Sequence, residues 1–298
     1  MDRKNSLTEI YLTIEKDCDH MTNNKAFSKI RHNSRPKKPR RYGVSEIRGP
    51  YYNVMGERYL RDIMETMGEH VDIIKFAGGS FSLMPEDQLI NFINICHEYE
   101  VKVDTGGWME YVLTQGIEAV DHYISECKRL GFDIIEISTG FLTIPSDDIV
   151  RLTKRVQDAG LLAKPEIGIQ FGSGGTNTVA QNEAAGLTDI DKAIETGKQC
   201  LAAGAYMLMI ESEGITESVD TWRTDMVSKF VKELGTEKVM FEAADPNVFA
   251  WYIKNYGPEI NLFVDHSQIV QLEGLRRGIW GNTELFGRVL TLDDGKND

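Results

Sequence analysis

From Arg41 onward the chain alternates between two hydrophobic periodicities. Short apolar, β-branched runs with two-residue alternation recur as "YGVSEI", "VDIIKF", "VKVD", "DIIEIS", "LAKPEIG", "YMLMIE", "KVMFEA" and "NLFVDH". Between them, apolar residues repeat at three and four, the spacing of one helix face. Pro85 opens a helix carrying Leu89, Ile90, Ile93 and Cys96 on that face. Ile117, Val120, Ile124 and Cys127 repeat the pattern, with Gly131 as a C-terminal stop. Ile149, Leu152 and Val156 precede Gly160, and Trp222, Phe230 and Leu234 precede Gly235. Thr188 with Asp191 reads as a capping box. Asp245-Pro246 reads as an N-cap and first-turn proline, and that helix stops at Gly257-Pro258. Strands alternating with helices predict an α/β fold with a parallel sheet and right-handed crossovers. Eight units in about 250 residues fit a single (β/α)8 TIM barrel. A doubly wound open sheet is the alternative. Its nucleotide-binding versions lose support because no GxGxxG follows the first strand and no GxxxxGK[ST] occurs. The expected organisation is an N-terminal basic extension over 1–40, the barrel over 41–290 and a tail over 291–298.

The same alternation places charge at the strand ends. Val71, Ile73 and Lys75 share one face of the second strand, and Ile134 with Glu136 and Met240 with Glu242 share faces of the fourth and seventh. Each strand carries an ionisable residue near its C-terminal end: Glu46, Lys75, Asp104, Glu136, Glu166, Glu211, Glu242 and Asp265. In a barrel these residues crowd the end where active sites are built. Any single carboxylate can be a buried ion pair closing the barrel. Seven acids around one lysine cannot all be ionised without a further cation, because burial and like-charge repulsion raise their pKa values. All-oxygen ligands point to Mg²⁺, or Mn²⁺, rather than Zn²⁺, and no HxxxH or HExxH spacing is present. Lys75 is open to three readings: an edge-strand charge, a functional cation or a Schiff-base amine. Gly78, Gly79, Gly106 and Gly107 follow strands two and three. Their amides can approach an anion closely, or they can serve tight turns alone. The Gly- and Ser-containing connection from Gly168 to Leu187 is a lid candidate, with passive disorder as the plainer reading.

Charge narrows the partners. The 298 residues carry a formal net charge of −13, which argues against nucleic acid. The segment "KIRHNSRPKKPRR", Lys29 to Arg41, carries +7, so the remainder stands at −20. It reads either as a solvated linker or as a binder of an anion or an acidic neighbouring subunit. No apolar run approaches the roughly 20 residues that span a bilayer, and the polar N-terminus lacks a signal-peptide core. The expectation is a cytoplasmic protein without a membrane partner. Cys18, Cys96, Cys127 and Cys200 form no CxxC pair and read as free thiols.

In order along the chain, "DIIKFAGGS", "VKVDTGGWMEYV", "GFDIIEIS", "PEIG", "MIES", "KVMFEA" and "LEGLRRGIWG" resemble the phosphosulfolactate synthase family, over about Tyr42 to Gly287. Plant heat-stress-associated proteins share this pattern. The resemblance implies a (β/α)8 barrel that adds sulfite to phosphoenolpyruvate with Mg²⁺ and that tends to form homo-oligomers. It implies Lys75, Glu136 and Glu242 as catalytic residues and Glu136, Glu166, Glu211 and Glu242 as metal ligands. Arg276 is the contact to a small anionic substrate that the motif implies, and Arg48, Gly78, Gly79, Gly106 and Gly107 are the further candidate contacts. Two departures stand out. Ile167 to Gly172 reads "IGIQFG" where the archaeal pattern carries lysines, and Glu211 to Gly214 reads "ESEG" where that pattern carries an arginine. Asp104 also replaces an uncharged residue. These changes imply a more acidic pocket and a less anionic substrate, with Arg48 as a replacement cation.

Overall fold

A computed structural model of the chain describes residues 26–27, 29–171, 177–279, 285 and 288–291. The chain divides into two compact units, Met1–Asn33 and Ser34–Asp298. Of the first, a turn closed by the Ile30 N–H donating to the Phe27 carbonyl (2.9 Å) is described. The second is the expected (β/α)8 barrel. Eight strands close in sequence order: β1 Ser45–Arg48, β2 Ile73–Lys75, β3 Lys102–Asp104, β4 Ile134–Ile137, β5 Leu162–Ile167, β6 Leu208–Ile210, β7 Val239–Glu242 and β8 Asn261–Val264. Every neighbouring pair is parallel, including β1 with β8.

The helices are α1 Glu57–Met67, α2 Glu86–Glu98, α3 Met109–Leu113, α4 Ile117–Leu130, α5 Ser146–Asp158, α6 Val179–Ala184, α7 Ile190–Ala202, α8 Thr224–Leu234, α9 Pro246–Tyr256 and α10 Ile269–Arg276. Gly131 ends α4 at φ +97°, a left-handed conformation that favours glycine. Asp245 caps α9 by accepting from the Asn247 N–H, with Pro246 in the first turn. The cap of α7 is Asp189, which accepts from the Lys192 N–H; the expected Thr188–Asp191 box is one residue out of register. The main core lies between sheet and helices. A smaller one, with Val44, Ile73, Ile134, Met207, Met209, Met240 and Phe263, fills the lower barrel interior.

The basic stretch does not stay outside the core. From Ser34 onward it runs across the N-terminal end of the barrel. Arg35 is paired with Glu273 (3.1 Å) and donates to the Gly43 carbonyl (2.8 Å). Arg40 is paired with Asp72 (2.8 Å) and donates to the carbonyls of Pro36 and Glu69. Lys38 donates to the carbonyls of Gly68 (2.6 Å) and Tyr99 (2.9 Å), which close α1 and α2. Helix C-termini carry partial negative charge, so these cations sit where the fold favours them. The boundary expected at residue 40 therefore falls earlier. Among the described residues no helix is long and apolar enough to cross a membrane.

Candidate active site

Within each strand the inward positions are fixed by alternation, and register sets their height. Arg48 is level with Lys75, Lys75 with Asp104, and Glu136 with Lys164. Two charged tiers result. In the lower one, Lys164 lies 2.7 Å from both Glu46 oxygens, 2.6 Å from Asp104 and 3.2 Å from Glu136, and all four side chains are at most 1% exposed. In the upper one, Lys75 lies 2.8 Å from Glu136 and 4.5 Å from the centre of the Phe263 ring. Arg48 lies 2.8 Å from Glu242 and packs over Tyr51 and Phe263. The Ser138 hydroxyl oxygen lies 2.8 Å from Glu166, and Glu211 accepts from the Ser212 N–H (2.8 Å).

Six inward carboxylates thus share three cations. Burial alone would lower the Lys75 pKa, but Glu136, Glu166, Glu46 and Glu242 outweigh it and hold the ammonium well above its ordinary range. Burial would likewise raise Glu136, yet Lys75 and Lys164 on either side hold it low. Three other acids respond in the opposite sense. Burial, with Asp104 and Glu136 nearby, pushes Glu46 up to about 7 despite Lys164. Burial and Glu136 push Glu166 up to about 8. Burial, Glu166 and Glu242 push Glu211 well above the carboxylate range. Such displaced acids mark functional sites more often than structural ones.

A cavity of about 380 Å³ opens over the C-terminal ends of β4, β5 and β6. Its walls include Glu110, Glu166, Glu211 and Glu213, the apolar Phe141, Leu142, Ile144 and Phe171, and one cation, Lys192. Lys192 stands 4.1 Å from the centre of the Phe171 ring. Lys75, Glu136, Arg48 and Glu242 lie outside its lining. The expected lid forms part of the wall. Its residues 172–176 fall outside the described ones; on either side, Phe171 N–H donates to the Leu187 carbonyl (2.7 Å), and Gln170, Asn177 and Asn182 face the cavity.

Several site residues need correction. Arg276 is not at this end. It is fully buried at the N-terminal end, donating to the carbonyls of Pro258, Ile260 (2.8 Å) and Val44 (3.4 Å), and it cannot meet a ligand at the mouth. Asp265 turns away from the interior and caps a 3₁₀ turn through Ser267. The four glycines have a packing reason of their own. A Cβ on Gly106 (φ +62°) would strike the Phe76 carbonyl, and one on Gly79 (φ +79°) the Trp108 ring. Gly78 and Gly107 lie against each other's loop, and only Gly107 borders Glu136.

Lys164 was missed altogether, although alternation within "LAKPEI" puts it on the face of Glu166. Glu110 was missed too. It accepts from the Ser138 hydroxyl and the N–H groups of Gly140 and Phe141, bracing the wall of the cavity.

Among the described residues, one group of three carboxylates has its ligand atoms within 4.8 Å of one another: Glu46, Asp104 and Glu136. This is a buried acidic triad that could bind a metal, but the Lys164 ammonium stands among its oxygens. Of the ligands expected from sequence, Glu136 faces two lysines and Glu242 faces Arg48. Glu166 and Glu211 have no basic partner within ion-pair distance among the described residues. Two carboxylates facing a cavity suit Mg²⁺, which keeps several waters and needs few protein ligands.

Fold and charges together define a barrel with a reactive-looking mouth, an enzyme-like arrangement at the end where such barrels do their chemistry. Residues 33–282 match the family described as (2R)-phospho-3-sulfolactate synthase (ComA), and the chain belongs to that family. It is 42% identical over 254 residues to Protein HEAT-STRESS-ASSOCIATED 32 of Arabidopsis thaliana, covering 81% of this chain and 88% of that one. It is 27% identical over 253 residues to the phosphosulfolactate synthase of Methanothermobacter thermautotrophicus, covering 83% and 93%. A solved copper-homeostasis-type protein, CutC from Streptococcus agalactiae, shares the fold at 10% identity and TM-score 0.50, over 75% of this chain and 98% of that one.

Proposed function

We propose that this chain is a lyase-type enzyme that adds a nucleophile to an enol or enolate substrate, with Lys75 as proton donor. The observation that carries the reading is the Lys75 ammonium held 2.8 Å from Glu136 at the C-terminal end of β2, in a chain of the phosphosulfolactate synthase family. In the family reaction sulfite attacks the methylene carbon of phosphoenolpyruvate. A C–S bond forms, and the C=C electron pair moves towards the carboxylate. The neighbouring carbon then takes a proton. That carbon is far more basic than an amine, so an ammonium suffices as acid even with its pKa held high. The same protonation disfavours Lys75 as a Schiff-base nucleophile, which must be neutral to attack. Glu136 orients Lys75 and, between two lysines, remains charged. Glu242 orients Arg48, whose remaining N–H groups are donors for a carboxylate or phosphate. A Mg²⁺ ion held by Glu166 and Glu211 would supply charge stabilisation at the substrate carboxylate.

A second reading changes the substrate and keeps the chemistry. Four acids and Lys192 line the cavity, and the two cations beside it, Lys75 and Arg48, are each already paired with a carboxylate. Several anionic groups on one ligand would go unpaired there at high cost. This favours a less anionic carboxylic acid than phosphoenolpyruvate with sulfite.

The test mixes the whole chain with phosphoenolpyruvate, sulfite and Mg²⁺ and follows product by NMR. In parallel, deuterium exchange from solvent into small 2-oxo monocarboxylates is measured. Product formation supports the family reaction, and exchange without product supports the second reading. Neither, across both substrate sets, contradicts enolate chemistry here. Lys75→Met should cut whichever signal is seen by about 100-fold or more; retained turnover removes Lys75 from the mechanism.

A further inference from the structure

The best-shaped carboxylate cluster in the described residues already contains a positive charge. Lys164 reaches from β5 across the barrel interior and places its ammonium within 3.2 Å of Glu46, Asp104 and Glu136. The ammonium donates to both Glu46 oxygens and stands at ion-pair distance from Asp104 and Glu136, so its charge is shared among all three carboxylates. The four side chains are at most 1% exposed, which leaves no water to take over when one partner is lost. The parallel register pairs Lys164 with Glu136 on the adjacent strand, which sets the two side chains at one height in the barrel.

We infer that Lys164 is the resident cation of the Glu46–Asp104–Glu136 triad and closes it to divalent ions. A metal entering the triad would bring a second buried cation against the Lys164 ammonium and compete for the same carboxylate oxygens, and like-charge repulsion in a dry interior opposes it. Lys164 is a positioning residue in this arrangement. It fixes the Glu136 carboxylate from below while Lys75 meets it from above, so the upper tier is aimed without a metal beneath it. The inference holds whichever reaction takes place at the mouth.

The test titrates Mn²⁺ alone into the full chain and follows loss of the free-ion signal by electron paramagnetic resonance. Asp104→Asn should leave Mn²⁺ binding where the unsubstituted chain has it, whether that is one site or none. Lys164→Ala should gain one further equivalent of bound Mn²⁺ and a higher melting temperature on adding it. Asp104→Asn placed in the Lys164→Ala chain should remove the gain. A fall of about tenfold or more in affinity on Asp104→Asn in the otherwise unsubstituted chain would overturn the inference. So would a folded Lys164→Ala chain that gains no Mn²⁺. If Lys164→Ala folds only when Mn²⁺ is supplied, the inference stands. If neither it nor Lys164→Met folds with or without Mn²⁺, a divalent ion cannot take the lysine's place and the inference fails.

Discussion

At the N-terminal end of the barrel, Arg35, Lys38, Arg40 and Arg276 meet Asp72, Glu273 and a set of backbone carbonyls. At the C-terminal end, six inward carboxylates meet Lys75, Lys164 and Arg48. Both ends carry an excess of one sign, and they dispose of it differently. The excess cations below are absorbed by carbonyls at helix ends and strand starts, which the fold supplies in any case. The excess acids above find only partial relief. Glu110 and Glu211 accept from loop amides, while Glu46, Glu166 and Glu211 are left with raised pKa values. One end is a closed structural seal. The other is short of positive charge in a way that a ligand, a proton or a cation can relieve. Strain of that kind persists where function requires it.

The largest expected effect breaks the seal. Arg40→Met leaves the buried Asp72 carboxylate without its cation and frees the Pro36 and Glu69 carbonyls. A loss of about 3–5 kcal/mol is expected in denaturant unfolding. A loss below about 1 kcal/mol, the scale of an exposed pair, would mean that the strap does not close this end.

The next effect separates the two ends by pH, with a chelator present. Folded Glu166 at about 8 and Glu46 at about 7 hold protons that an unfolded carboxyl, near 4.5, has released. Stability therefore falls as pH rises from about 5 to 8, each group contributing in proportion to its own shift at about 1.4 kcal/mol per pKa unit. Glu273 behaves in the opposite sense. Burial would raise it, but Arg35, His70 and Arg277 hold it down to about 2. Its contribution is present above 4.5 and is lost as pH falls towards 2. The curve should peak near pH 5. A curve flat or rising from 5 to 8 would contradict the acid excess at the mouth.

The smallest effect calibrates the others. Arg129 pairs with Glu86 (2.9 Å) and Glu126 (2.8 Å) while all three side chains remain substantially exposed. Arg129→Ala should cost less than about 1 kcal/mol. A cost as large as that of Arg40→Met would mean that burial does not decide these energies.

Most of the fold was legible from the chain itself. Eight apolar runs spaced by amphipathic helices leave few alternatives to the barrel, and caps such as Asp245-Pro246 and Gly131 mark the helix ends locally. The ring at the mouth was legible because strand alternation is local too. Lys164 was not legible as a site residue because it sits two residues before Glu166 on the same face, below the strand end. The partners of Arg35 and Arg40 were not legible at all. Glu273 lies 238 residues from Arg35, and only closure of the barrel brings them together. Arg276 was misplaced for the same reason: its motif was recognised, but which end of the barrel the last helix turn faces is a tertiary fact.

The central claim is that the C-terminal end keeps more buried acid than its cations can neutralise. The most direct measurement is the unfolding free energy of Glu166→Gln at pH 8 and at pH 5, again with a chelator. Glutamine keeps a hydrogen-bonding partner for the Ser138 hydroxyl (2.8 Å from Glu166) and removes the charge. The account predicts a gain of about 1 kcal/mol or more at pH 8 that shrinks towards zero at pH 5. A loss of stability at pH 8 would contradict it.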